Sequence, residues 1–277
     1  MKDPHAIHST SARKMLVSLW TNRGLIARLV NRDIAARYKG AAVGLAWSFI
    51  TPLLMLSVYT FVFSVVFQAR WNEEVPAGKA SFALVMFIGM LVHGLFAEVI
   101  NRSPALLLAN PNFVKKVVFP IEILPVVSTG SAIFHTLVST LIFLVALLVL
   151  TGELQWTALF FPLIIFPLVV FTLGVAWFLC SLGVYLRDVS QLTVIFTTVL
   201  LFLAPVFYPL TALPEDFRWA IRINPLTFII EQSRDVLMWG KMPDFKGLAA
   251  YSLVAFVTAW LGFAWFQKTR KGFADVI

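Results

Sequence analysis

The 277-residue sequence has a single cysteine, Cys180, inside an apolar run. One cysteine excludes an intrachain disulfide and any CxxC metal or redox motif. Charge is also scarce: 13% of residues are Asp, Glu, Lys or Arg, against roughly 25% in a soluble domain, while 60% are hydrophobic. A single soluble core could not hide that much apolar surface, so the implied solvent is a bilayer. The chain has no GxxxxGK(S/T), hence no phosphate-cradling loop of its own, and no HExxH, paired-His metal spacing or GxSxG. His93 and His135 lie on apolar stretches far apart and read as helix-packing residues rather than catalysts. The centres of the apolar runs are nearly free of ionisable groups, which leaves proton or sodium coupling without a seat. Uphill movement of any solute would then draw its energy from a partner. The formal charge of +8 does not gather on a polar domain, so nucleic acid is not an expected partner.

What is present is a succession of apolar runs at 44–67, 80–97, 123–151, 157–186, 189–208 and 248–267. The first has ample length for a hydrocarbon core of about 30 Å. The uncharged stretch ending at Leu186 is too long for one vertical span, so it is expected to begin at the interface and bend near Pro162 and Pro167. The expected fold class is an all-α integral membrane protein. It has six transmembrane helices, an N-terminal amphipathic interfacial helix, and a re-entrant helical pair before the last span. Residues 1–42 form the interfacial part and 43–277 the six-span part. Lys and Arg are richer in the segments this topology puts inside (15 of 22), so both termini are expected in the cytoplasm. The first forty residues are charged and the first apolar run is too long for an h-region, so no cleavable signal peptide is expected and the first span is expected to act as an uncleaved anchor.

Four polar or aromatic features stand out. Residues 11–39 repeat Met15, Leu16, Leu19, Trp20, Ile26, Leu29, Val30 and Ile34 at helical spacing among basic residues, with Gly24 the expected break between two short helices. Such a helix lies in the headgroup plane; the plainer reading is a basic flank that only fixes orientation. Asn110–Pro125, NPNFVKKVVFPIEILP, is a basic elbow with three prolines. Its Lys115 and Lys116 and its breaks at Pro111 and Pro120 keep it out of hydrocarbon. It is a connector or a docking surface. Residues 209–247 mix Phe217, Trp219, Phe228 and Ile229 with Glu231, Arg234 and Asp235, a pattern suited to two short amphipathic helices in the outer interface. Among the 26 Phe and nine Trp, most face lipid or pack. Trp47, Tyr59, Phe63, Phe202, Phe207 and Tyr208 are the candidates for an aromatic channel lining along which sugar rings could slide.

The elbow, with Arg32-Asp33 and Arg37-Tyr38-Lys39 upstream and Tyr185-Leu186-Arg187-Asp188 downstream, resembles the permease subunit of ABC-type polysaccharide exporters, which move O-antigen, teichoic acid or capsule chains. The resemblance runs from about residue 25 to about residue 270. It implies a channel-forming half-transporter of the bacterial inner membrane that dimerises with a second copy of itself and works with two copies of a separate nucleotide-binding ATPase subunit. ATP and Mg would sit on that subunit, with no cofactor in this chain. By the resemblance, the elbow is the coupling helix, with Leu107, Asn110, Pro111, Asn112, Phe113, Lys115 and Lys116 toward the ATPase. Leu16, Leu19, Trp20, Arg32, Arg37 and Lys39 would belong to an interface helix at the cytoplasmic mouth. The substrate implied is lipid-linked polysaccharide, O-antigen first and teichoic acid or capsule second. The other function class, a membrane-embedded transferase acting on lipid-linked glycans, would need convergent acid, base or metal-binding residues at one membrane face, and the sequence has no such cluster.

Overall fold

A computed structural model describes residues 10–66, 81–114 and 119–277. Lys115 and Lys116 lie outside the described residues. Two helices open the fold, α1 (Ala12–Thr21) and α2 (Arg23–Tyr38). They part at Asn22, whose side-chain amide donates to the Ser18 carbonyl, and not at Gly24, which lies in the first turn of α2. Asn outcompetes Gly here because its side chain caps the carbonyls that the break exposes.

The long apolar helices follow. They are α3 (Trp47–Tyr59, continued by a π-helical turn over Thr60–Val66), α4 (Ser81–Arg102), α6 (Leu124–Thr151), α7 (Phe161–Tyr185) and α11 (Phe245–Thr269). Between α4 and α6 lies the elbow, with the single-turn α5 (Pro111–Val114). After α7 come α8 (Val189–Phe202), α9 (Glu215–Ile223) and α10 (Pro225–Leu237), and α12 (Phe273–Val276) closes the chain. Among the described residues there are no strands, and five helical stretches are long and apolar enough to cross a bilayer.

Two of these bounds differ from the sequence expectation. The second span runs on to Arg102 instead of ending at 97, because Glu98 and Arg102 find partners on α2 and need not leave the helix. The fifth expected span, 189–208, is helical only over Val189–Phe202. Its 14 residues rise about 21 Å.

The closest packing in the bundle is α7 against α11. Glycine makes it possible: a Cβ on Gly174 would lie 2.6 Å from the Ala259 nitrogen, and one on Gly262 would strike the Gly174 carbonyl. Small residues at a helix crossing let backbones approach where lipid supplies no hydrophobic drive between helices. α4 is the central helix. Its residues Ala83–Met86, Ile88 and Val92 are fully buried between α6, α7, α8 and α10. α3 is the least buried of the five long spans. Several hydroxyls inside the spans bond their own helix: Thr136, Thr140, Ser252 and Thr258 each donate to the carbonyl four residues back.

Candidate functional site

Polar side chains gather at the elbow end of the bundle, and two nodes tie its segments together. At the first node, α2 is strapped to α4 and α6. Arg102 Nη2 lies 2.9 Å from both carboxylate oxygens of Asp33, and Ser131 donates to Asp33 at 2.6 Å. One turn on, Arg37 Nη2 pairs with Glu98 at 2.6 Å, while Arg37 Nη1 lies 2.9 Å and Glu98 3.2 Å from His135 Nδ1. Tyr38 completes the set at 3.1 Å from His135 Nε2. His135 is therefore a bridge between the interfacial helix and the third span, beyond the packing role its apolar surroundings suggested. The sequence signal for it was available only as spacing: Asp33 and Arg37 are one turn apart, as are Glu98 and Arg102.

This node caps one end of a cavity of about 440 Å³ between α3, α4 and α6. Arg37, Glu98 and His135 line that end, while Tyr59, Phe87 and Met90 line the wall farther along the helices.

The second node is Glu122, in the 3-10 turn (Ile121–Ile123) leading into α6. Its carboxylate accepts from Ser18 of α1 at 2.9 Å and from Arg270 of the C-terminal segment at 2.8 Å. Trp177 of α7 donates to its backbone carbonyl at 2.9 Å. Glu122 is thus a buried junction of four chain segments. Its sequence neighbours do not include its partners, so the pattern could not have identified it.

The elbow itself is pinned. Phe113 stacks on Phe119, ring centroids 4.3 Å apart, and the Arg32 guanidinium lies 5.5 Å from the Phe113 ring centroid. The elbow thus leans on α2 through a cation–π contact. Asn112 is exposed and Asn110, Pro111 and Phe113 are half-buried, so these four form the outward surface. Leu107 does not belong to it. It is fully buried with Ile121, Trp177 and Cys180, because the turns after α4 fold back under α7, where Gly183 admits the Pro104 backbone.

On α1 the apolar face divides. Met15 is buried and Leu19 packs beside it, whereas Leu16 and Trp20 are exposed at 59% and 71%, leaving those two free to meet lipid or another chain. Lys39 is exposed at the end of α2. The aromatic candidates fall into two groups that α3 and α8 do not bring into close packing. Trp47 and Tyr59 line the cavity, and Phe63 stacks on Phe82 at 5.5 Å. Phe202, Phe207 and Tyr208 cluster at the end of α8, with Phe202 exposed at 61%.

The opposite end of the bundle holds α9 and α10. Asn224 caps α10 by accepting from the Leu226 amide, and Pro225 takes the first helical position. α10 is buried against α4 and α7, while α9 leaves Phe217, Trp219 and Ile223 exposed. Burial raises the Glu231 and Asp235 carboxyls above their ordinary values, with Arg234 pulling Glu231 back and Lys241 pulling Asp235 back. Among the described residues no group of three His, Cys, Asp or Glu could hold a metal.

A bundle of apolar helices, an N-terminal pair strapped across one end and a pinned elbow between the second and third spans define a multi-pass transporter subunit, and the chain belongs to the ABC-2 type transporter family, which it matches over residues 24–238. Named relatives narrow the likeness. The chain is 26% identical over 266 residues to an O-antigen export system permease protein RfbA of Myxococcus xanthus, covering 95% of this chain and 99% of that protein. It is 27% identical over 266 residues, with the same coverage, to an RfbA of Klebsiella pneumoniae. To the polysialic acid transport protein KpsM of Escherichia coli it is 22% identical over 251 residues, 89% of this chain and 93% of the other.

Proposed function

We propose that this chain is the channel-forming permease subunit of an ATP-driven exporter that moves lipid-linked polysaccharide, O-antigen first, from the cytoplasm across the inner membrane. The observation that carries the reading is likeness over almost the full length to two O-antigen export permeases, in a chain without a phosphate-cradling loop. ATP and Mg are then bound by a separate nucleotide-binding subunit, two copies of which serve a homodimer of this chain. Both termini and the elbow face the cytoplasm, as the Lys and Arg distribution favours. Asn110, Pro111, Asn112 and Phe113 are the seat of that ATPase, with Lys115 and Lys116 beside them.

In this reading the elbow's push reaches the pathway through α2. Arg32 rides on Phe113, and Asp33 and Arg37 hold the second and third spans. Helix α2 is thus a lever with one arm on the ATPase and the other on the channel wall. Trp47 and Tyr59 at the cavity and Phe202, Phe207 and Tyr208 at the far end offer ring faces to sugars without fixed polar sites, which suits a chain that must slide. Likeness to KpsM favours a capsular polysaccharide as the second substrate reading, with teichoic acid the further alternative.

The test is co-expression with a nucleotide-binding subunit of a polysaccharide exporter in strains lacking their own O-antigen permease or their own capsule permease. Co-purification of the two proteins and restored surface O-antigen are expected. Co-purification with restored capsule but not O-antigen would move the substrate to the second reading. Loss of both would remove the export reading.

A further inference from the structure

Helix α8, the fifth apolar run, ends well short of the width of a hydrocarbon core, about 21 Å against about 30 Å. Three of its last four carbonyls are nonetheless satisfied, two of them by side chains. Leu203 N bonds the Val199 carbonyl at 2.9 Å, Asn224 donates to the Leu200 carbonyl at 3.2 Å, and the Tyr208 hydroxyl donates to the Phe202 carbonyl at 2.8 Å. Beyond the helix, Arg234 of α10 takes over. Its Nη1 donates to the Pro205 carbonyl at 2.6 Å, its Nη2 to the Val206 carbonyl at 3.0 Å, and its Nε to the Val85 carbonyl of α4 at 3.1 Å. Arg234 is 2% exposed, and Ala204 and Val206 beside it are fully buried.

A guanidinium at such a place is costly unless strong acceptors surround it, and non-helical backbone there is costly unless donors reach it. Each offsets the other. Gly89 on α4 supplies the room: a Cβ there would stand 3.1 Å from both Arg234 Nη2 and the Val206 Cα. Five residues along the same helix, a Cβ on Gly94 would meet nothing within 4 Å.

We infer that Arg234 is a positioning residue for translocation, the joint that holds residues 203–208 in place where Pro205 interrupts the helix and so sets the opening beside Phe202, Phe207 and Tyr208. If α8 instead continued to Tyr208, each residue would rotate by about 100° relative to the one before. Phe207 would then leave its present contact with Phe202, ring centroids 5.8 Å apart. The inference rests on the reading of this end as the outlet of an export pathway.

The test compares Gly89→Ala, Arg234→Met, Arg234→Lys and Gly94→Ala in the permease co-expressed with its ATPase. Three readouts are taken: O-antigen export per ATP hydrolysed, protein level, and thiol labelling of Phe207→Cys in a Cys180→Ser background by a membrane-impermeant maleimide. Gly89→Ala and Arg234→Met are expected to shift the labelling rate in the same direction and to lower export per ATP by about threefold or more, the lower range of long-range coupling effects. Arg234→Lys, which keeps the charge and a donor, should lie between them and wild type; Gly94→Ala, on the cavity wall, is read by labelling alone and should match wild type there. Wild-type labelling in Gly89→Ala overturns the inference, as does an equal shift in Gly94→Ala. Should Arg234→Met fail to accumulate, the Gly89→Ala and Gly94→Ala pair decides alone. Labelling needs no transported glycan, so failure of the export reading and failure of the joint are read separately.

Discussion

The Glu122 junction allows a magnitude to be worked out from the geometry. Its side chain is 10% exposed and that of Arg270 14%, and they meet at 2.8 Å. Truncating one member of a buried pair leaves the other charge uncompensated, at roughly 3–5 kcal/mol. This pair is close to one end of the bundle and keeps some solvent access, so Glu122→Ala is expected near the lower bound, about 3 kcal/mol. Glu122→Gln can keep its one oxygen for Arg270 while its NH2 donates to the Ser18 hydroxyl, which turns to accept. The main loss is then the charge assistance, and about 1 kcal/mol is expected. Arg270→Met should cost about as much as Glu122→Ala, because each truncation leaves the other charge one remaining partner, Ser18 for the carboxylate and the Phe119 carbonyl for the guanidinium. In the double variant the two costs should fail to add by on the order of 2 kcal/mol, the coupling of neighbours that share one interaction. The assay is reversible unfolding of the purified permease in mixed detergent micelles. A Glu122→Ala cost below about 1 kcal/mol, the range of exposed ion pairs, would refute the reasoning, as would strict additivity in the double variant.

Three further outcomes are expected. Phe113→Ala removes the ring on which Phe119 and Arg32 rest, so ATPase co-purification should fall at unchanged permease level; full binding and full export would return the elbow to a simple connector. Deleting residues 1–20 removes Met15 and Ser18 from the bundle but leaves Asp33 and Arg37 in place. Insertion should therefore survive while export drops; unchanged export at matched level would reduce the segment to a topology signal. For the 209–247 stretch, cysteines at Phe217 and Trp219 are the informative probes, because both side chains are more than 60% exposed in the chain. A maleimide that labels Glu215→Cys but not Trp219→Cys from outside would put α9 in the interface, and equal rapid labelling would make it an ordinary external helix. Ile229 decides nothing here, since it is already buried in protein.

The class of this protein was legible without coordinates. Low charge, long apolar runs and an elbow rich in proline and lysine leave few solutions other than a polytopic helical bundle with one structured polar turn. Bilayer thickness converts run length directly into spans, and a helix satisfies its own backbone, so no distant partner has to be known. The outward part of the elbow, Asn110 to Phe113, was legible for the same reason: polar and proline residues in a short connection have nowhere else to lie. Tertiary structure decided what depended on partners far along the chain. Glu122 meets Ser18 and Arg270, and Asp33 meets Arg102 and Ser131, across separations that no local pattern encodes. Leu107 looks like its elbow neighbours until the fold tucks it beneath α7. The fifth apolar run is long enough to reach Tyr208, but it carries a local break at Pro205, which has no amide to offer the helical ladder. The tertiary structure supplies what that break needs: Asn224, Tyr208 and Arg234 reach carbonyls on either side of it, and helix termination in an apolar setting is permitted only where such donors arrive.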